Sequence, residues 1–234
     1  MSKLLDIIVP TFNQPEFTMK CFSSIERTLN RDDYRLIWVD NGSSAEARAL
    51  VAHHLKLLDI PVLPLQLPEN LGFVKATNMG LAASTADYLL LLNNDTELPD
   101  AWFPPCLEVF KLDPRVGIVG PRSSAPTQWQ GMSPETPGFR ILPSGAMLSF
   151  FCALLKREVV TRCGYLSEEY ACGLGDDDDY CEVVKGAGWE LALRTDVTVL
   201  HHHRVTFTDV FGPNGWLDYQ AENIRFFKQK WHRK

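Results

Sequence analysis

The chain has 234 residues, 45% of them hydrophobic and 11% aromatic, enough to bury a sizeable core in one compact domain. A net charge of −6 excludes the basic face that a nucleic-acid binder turns toward phosphates, and points to a charged partner that is small and metal-neutralised. Six cysteines at 21, 106, 152, 163, 172 and 181, with no C-x-x-C pair, exclude a disulfide scaffold and fit reduced thiols in the cytoplasm.

The first apolar run, 5–9, reads as a strand. Asp6 and Pro10 interrupt it too early for a signal peptide or a membrane span. A helix over 15–29 follows, with Phe17, Cys21, Phe22, Ile25 and Leu29 on one stripe. Then come a strand at 35–39, a helix over 45–58 with Leu50, Val51, Leu55 and Leu58 in register, a strand near 62–67 and a helix over 74–83. Residues 88–95 read Tyr88-Leu89-Leu90-Leu91-Leu92-Asn93-Asn94-Asp95, a buried strand that ends in three small polar side chains. Such βα alternation predicts an α/β fold with a mostly parallel sheet covered by helices on both faces. Beyond Asp95 the pattern loosens. A short strand at 117–120, a Pro-rich acceptor-side surface loop over 121–138, a strand at 149–155, a helix over 157–162, an acidic-start helix over 177–187 and a strand at 197–200 are expected.

Ligands of open α/β sheets bind at the carboxyl ends of the strands, so the chemistry is sought there. Pro10-Thr11-Phe12-Asn13 follows the first strand and offers a fixed backbone with polar donors and acceptors. Val39-Asp40-Asn41-Gly42-Ser43-Ser44 places a carboxylate at the second edge. It suits a base imide or a ribose hydroxyl, or else an Asx turn with Ser44 capping the next helix. Asn70-Leu71-Gly72-Phe73-Val74-Lys75 puts a glycine and a cation at a helix N-terminus, where anions are favoured. It lacks the spacing of a G-x-G-x-x-G or Walker loop. Asp95 suits Mg2+ or Mn2+ and, through it, a diphosphate. Asp176-Asp177-Asp178-Asp179 is a helix N-terminus rich in carboxylates, either a solvated face or the seat of a general base. Of His201-His202-His203, at most His201 and His203 share a strand face, and one of the three is expected as a metal ligand.

The ordered set of segments resembles the inverting family-2 glycosyltransferases of the GT-A fold, over nearly the whole chain, and among them bacterial polysaccharide and rhamnosyl-type transferases. Ile7 to Asn13, Val39 to Ser44, Glu69 to Phe73 with Ala76-Thr77-Asn78-Met79-Gly80, Leu92-Asn93-Asn94-Asp95-Thr96, Gly164 to Asp179 and the closing Asn223 to Trp231 carry the resemblance. It implies a single GT-A domain, with a nucleotide-sugar half over 1–96 and an acceptor half over 97–234. Pro10, Thr11, Asn13, Asp40, Asn70, Gly72, Lys75 and Asn94 would line the nucleotide, with Asp40 near a pyrimidine base and hence a UDP- or dTDP-linked donor. Asp95 and His201 would hold Mn2+ or Mg2+. Asp177 would be the general base, with Asp176 and Asp179 toward a glycan or lipid-linked saccharide acceptor. The sequence departs from the family pattern in two places: Asn93 stands where the Asp-x-Asp motif has its first acid, and Val183 stands where an arginine is usual, with Lys185 two residues on.

Two further classes compete. A non-catalytic nucleotide-sugar-binding module within a larger glycan synthase would keep the donor edge without using Asp177. A sugar-nucleotide pyrophosphorylase would need a basic loop, and 10–16 contains no basic residue. A structural Ca2+ loop is excluded by the missing D-x-D-x-D-G spacing. The cationic, aromatic end, 225–234, suits either packing on the core or contact with the inner face of the cytoplasmic membrane.

Overall fold

A computed structural model of the chain describes residues 3–125, 130, 136–170, 172–202 and 205–232, the last range by backbone alone at 205–211, 213 and 214. In chain order the elements are β1 (Leu5–Thr11), α1 (Pro15–Thr28), β2 (Tyr34–Asp40), α2 (Ala45–Leu55), β3 (Val62–Gln66), α3 (Phe73–Ala83), β4 (Tyr88–Leu92), β5 (Thr96–Glu97), α4 (Phe103–Leu112), β6 (Val116–Ser123), β7 (Phe139–Ile141), β8 (Cys152–Lys156), α5 (Arg157–Cys163), α6 (Asp176–Gly186), β9 (Glu190–His201) and α7 (Val205–Lys230). A single 3-10 turn, Glu168–Tyr170, precedes α6.

The strands join in the order β3-β2-β1-β4-β8-β6-β9-β5, with β7 also on β9. The expected parallel pairing holds for β1 to β4. Beyond them the sheet is mixed, because β8 enters antiparallel to both β4 and β6 while β6 and β9 run parallel. Side chains of successive strand residues point to opposite faces. Leu5, Ile7, Val9, Leu36, Trp38, Leu90 and Leu92 therefore pack on one side under α1 and α4. Ile8, Ile37, Val39, Leu89 and Leu91 pack on the other under α3, α5 and α6. Burial on both faces is why these strands read as unbroken apolar runs.

Pro10 lies in a central strand without cost to the ladder. The β1–β4 pairing ends at Ile8 opposite Leu91, while β1–β2 continues to Thr11 opposite Asp40. At the other end of β1, the buried Asp6 is held by Arg35 through two 2.9 Å bonds and by the amides of Thr85 and Ala86. An isolated buried carboxylate would cost several kcal/mol, roughly, so this pairing is what lets a charge stand inside the sheet.

Several expected boundaries move. The strand of 88–95 ends at Leu92, leaving Asn93, Asn94 and Asp95 in a turn. The loop expected over 121–138 is ordered strand through Ser123 and has Gln130 buried, while 126–129 and 131–135 lie outside the described residues. β9 runs twelve residues, from Glu190, instead of four. Leu50, expected in the α2 stripe, is 47% exposed.

Candidate active site

The carboxyl edge of β1, β2 and β3 is knit by polar groups from three loops. Asn41 donates its backbone N–H to Thr11 O, its side-chain oxygen accepts from Leu71 N at 2.9 Å, and its Nδ2 donates to Asn70 Oδ1 and Gly72 O. Asn13, at φ 52°, donates its N–H to Ser43 Oγ and accepts from Ser44 N. Gly42 has φ 77°, and a Cβ there would stand 2.3 Å from the carbonyl carbon of Glu69, so only glycine permits this approach of the second loop to the third. Asn13, Asn70, Gly72 and Lys75 are half-buried or exposed along this edge, with Gly72 capping α3.

Three residues expected at the nucleotide are enclosed by the fold. Asp40 is buried and its carboxylate is taken up by Arg48 and by Ser43 N. Ser44 caps α2 through Ala47 N, so the Asx-turn alternative describes this segment. With its carboxylate occupied in this way, Asp40 gives no preference for a pyrimidine base. Thr11 is likewise buried, its hydroxyl accepting from Trp38 Nε1 at 2.9 Å. Pro10 is enclosed in β1.

At the end of β4, Asn94 donates through Nδ2 to Thr18 Oγ1 at 3.0 Å, fastening the turn to the first turn of α1. The short antiparallel pairing of β5 with β9 sets Thr96 opposite His201. This brings His201 Nε2 to 3.3 Å from Asp95 Oδ1, with both side chains nearly buried. A carboxylate oxygen and an imidazole nitrogen at that separation fit two adjacent positions around a hexacoordinate ion, where bonds of about 2.1 Å put neighbouring donors about 3 Å apart. Among the described residues no group of three His, Cys, Asp or Glu side chains is placed to hold an ion alone. The pair would need oxygens from a ligand and water to complete a shell. His202 turns away, to Glu97 Oε1 at 3.0 Å and the edge of Phe17. His203 lies outside the described residues.

The four acids open α6. Asp176 and Asp179 are buried, while Asp177 and Asp178 are partly exposed. Burial raises the carboxyl of Asp177 above the usual range, opposed by hydrogen bonds from the amides of Asp178 and Phe150 and from the Ser149 hydroxyl. Asp178 is pushed up to about 7 by burial and then by the charges of Asp177 and Glu182, with Lys185 opposing. Asp176 is raised well above the carboxylate range by burial and the neighbouring Asp177.

Asp179, expected toward the acceptor, is occupied within the fold. Its carboxylate accepts from Trp231 Nε1 at 2.8 Å, Lys230 Nζ at 3.0 Å and Tyr170 Oη at 3.4 Å, so it anchors α7 and is not offered to an acceptor.

Residues Ser149, Phe150 and Phe151 connect the two chemical groups. Ser149 and the Phe150 amide hold Asp177, while the next ring, Phe151, stacks on His201 at 4.8 Å and 13°, and Phe151 O accepts from Asn93 N. Adjacent Cα atoms are about 3.8 Å apart, so the acid cluster and the Asp95–His201 pair flank one short piece of chain. Gln130 fixes that piece, accepting from Ser149 N at 2.6 Å and donating to Pro121 O. In the sequence, 149–151 reads as strand and Gln130 as loop. A lone polar pair in such segments carries no periodic signal.

A parallel βα half with a polar carboxyl edge, joined through an antiparallel strand to an acid-bearing helix, defines a nucleotide-sugar type of α/β domain, the GT-A fold. Residues 6–164 match the family model Glycosyl transferase family 2, and the chain belongs to that family. It is similar to the teichoic acid poly(glycerol phosphate) polymerase of Staphylococcus epidermidis, at 31% identity over 53% of this chain and 17% of that one. It is also similar to a pre-mycofactocin glycosyltransferase of Mycobacterium tuberculosis, at 27% identity over 87% of this chain and 43% of that one. The chain thus spans less than half the length of either relative. A mannosyltransferase from Pyrobaculum calidifontis, in complex with GDP-Man and Mn2+, superposes with a TM-score of 0.74 at 17% identity, covering 100% of this chain and 65% of that chain.

Proposed function

We propose that this domain transfers a sugar from a nucleoside-diphosphate sugar to a hydroxyl of a glycan or lipid-linked saccharide, with inversion at the anomeric carbon. The observation that carries the reading is the Ser149-Phe150-Phe151 segment, which holds a carboxylate of raised pKa on one side and the Asp95–His201 pair on the other. The nucleotide would lie along Asn13, Asn41, Asn70, Gly72 and Lys75 in the half formed by 1–96, and the acceptor on 97–234. Asp95 and His201 would hold Mn2+ or Mg2+; a divalent ion there neutralises charge gathering on the leaving diphosphate. The crystallised mannosyltransferase was captured with GDP-Man and Mn2+, which supports that assignment.

In the reaction the Asp177 carboxylate takes the proton of the acceptor hydroxyl. The freed oxygen forms a bond to the anomeric carbon as the bond to the diphosphate breaks, and its electron pair leaves with the diphosphate. Attack opposite the leaving group gives inversion. A positioned base supplies about 10²- to 10⁴-fold. Asp177→Asn should lower transfer by that factor while nucleotide-sugar binding, read by calorimetry, survives. Undiminished transfer would remove Asp177 from the role. Binding with no transfer in the wild type would favour a non-catalytic donor-binding module of a larger synthase.

A lipid-linked acceptor would bring the domain to a membrane surface. No described helix is long and apolar enough to cross a membrane. On the outer side of α7, Leu217 and Ile224 are each 48% exposed, beside exposed Arg225 and Lys228. That composition suits an anionic lipid surface. Replacing Arg225 and Lys228 by Glu should release the protein from anionic liposomes in co-sedimentation; unchanged pelleting would remove α7 from that role.

A further inference from the structure

The turn that launches the acid helix is strained, and one face of α7 grips it. Gly173, Leu174 and Gly175 have φ of 95°, 63° and 126°, three successive residues in a region that side chains avoid. Leu174 has no glycine's freedom there, so the conformation persists only because its surroundings impose it. Asn223 supplies part of that imposition: its Nδ2 donates to Gly173 O at 2.9 Å and to Leu174 O at 3.1 Å, from a nearly buried position. Tyr219 Oη donates to Tyr170 O at 2.8 Å and accepts from Cys172 N at 3.0 Å. Phe226 meets the Tyr170 ring edge-on at 5.3 Å, and Lys230 with Trp231 closes on Asp179. Tyr219, Asn223, Phe226 and Lys230 are spaced four, three and four apart, which puts them on one helix face. A Cβ on Gly175 would come within 3.0 Å of the Tyr170 ring and 3.7 Å of Asn223 Cβ, so the turn is enclosed between them.

We infer that this face of α7 is a clamp that aims Asp177, with Asn223 its central positioning residue. The inference rests on sugar transfer with Asp177 as base. The described hydrogen bonds, ion pairs and ring contacts of Asn223, Phe226 and Lys230 fall on Glu169 to Asp179 and within α7 and its end, away from the edge assigned to the nucleotide. Loosening the turn therefore shifts the acid while leaving the donor's seat intact. A displacement of about 1 Å at a reacting group costs up to about 100-fold in rate.

The test uses Asn223→Leu, which keeps the branched shape and removes both hydrogen bonds from Nδ2, and Trp231→Phe, which keeps an aromatic ring and removes the bond to Asp179. Two readouts are taken on the full chain with Mn2+ and nucleotide sugar. Hydrogen exchange should accelerate in peptides spanning 172–182 and stay unchanged across β1 to β4. Turnover should fall about 10- to 100-fold in Asn223→Leu and less in Trp231→Phe, with donor KM unchanged and the acid limb of the pH–rate profile displaced. Unchanged exchange in 172–182 would overturn the clamp whatever the activity does. Faster exchange with unaltered turnover and pH profile would overturn its positioning role. A fall in turnover matched by a rise in donor KM and exchange throughout the sheet would reduce Asn223 to general stability. Failure of the transfer reading is separate: the wild type would then show no turnover at all.

Discussion

At the level of single residues, the acid cluster sets a pH dependence whose sign follows from burial. Asp178 is held at about 7, and Asp177 and Asp176 are raised, so the folded chain keeps protons that an unfolded chain has released at about pH 4. A carboxyl whose folded pKa lies above its unfolded value withdraws stability as pH rises between the two, and the loss is complete above the folded value. Asp178 should therefore withdraw stability from the protein without ligand between about pH 4 and about pH 7, with Asp176 and Asp177 acting in the same direction. Asp178→Asn should raise Tm at pH 8 and leave it unchanged near pH 4. A variant with the same Tm gain at both pH values would show that packing, not charge, is responsible. Asp40 carries the opposite lesson. A carboxylate at a strand end looks like a ligand in sequence, but Arg48, eight residues on, neutralises it within the fold.

Among the elements, the donor edge depends on how closely the β2–α2 and β3–α3 loops approach. Gly42→Ala combines a positive φ with a 2.3 Å clash against the Glu69 backbone, and should cost about 1–3 kcal/mol with weakened nucleotide binding. Gly186→Ala, at the end of α6 with open space around it, serves as the control and should be neutral or stabilising by up to about 1 kcal/mol; equal losses in chemical denaturation would mean the loop contact is unimportant. The elements visible in the sequence were those with one signal. β1, β2 and β4 are apolar on both faces, and α1 and α3 begin and end near clear punctuation. α4 was hidden because Pro104 and Pro105 read as breakers, although they lie in its first turn, where no amide partner is lost. β9 was cut short because Arg194 and Asp196 look solvent-facing, whereas they pair with each other at 2.5 Å and 2.9 Å. α7 gives no clean helical stripe in the sequence because Gly212, at φ 71° and ψ 178°, breaks it and because its docking face mixes polar with aromatic side chains. That face reads as surface until the strained turn it grips is known.

For the whole molecule, the sheet gathers residues from 13 to 201 at one edge, with β8 and its leading segment joining the donor half to the acid helix. The order of short motifs made that arrangement readable, since Asp95, Asp177 and His201 each fall at an element's end. The residues that unite them, Ser149, Phe151 and Gln130, were not readable, because their roles exist only across chain separations that no local pattern encodes. The most direct measurement is calorimetric and thermal-shift binding of UDP-, dTDP- and GDP-sugars, with and without Mn2+, to wild type and Asp95→Ala. One donor should bind wild type only with metal, adding about 2.7 kcal/mol at a hundredfold excess over Kd, and that dependence should vanish in Asp95→Ala. If no nucleotide sugar binds under any of these conditions, the transfer function is contradicted and the domain is a non-catalytic α/β interaction module.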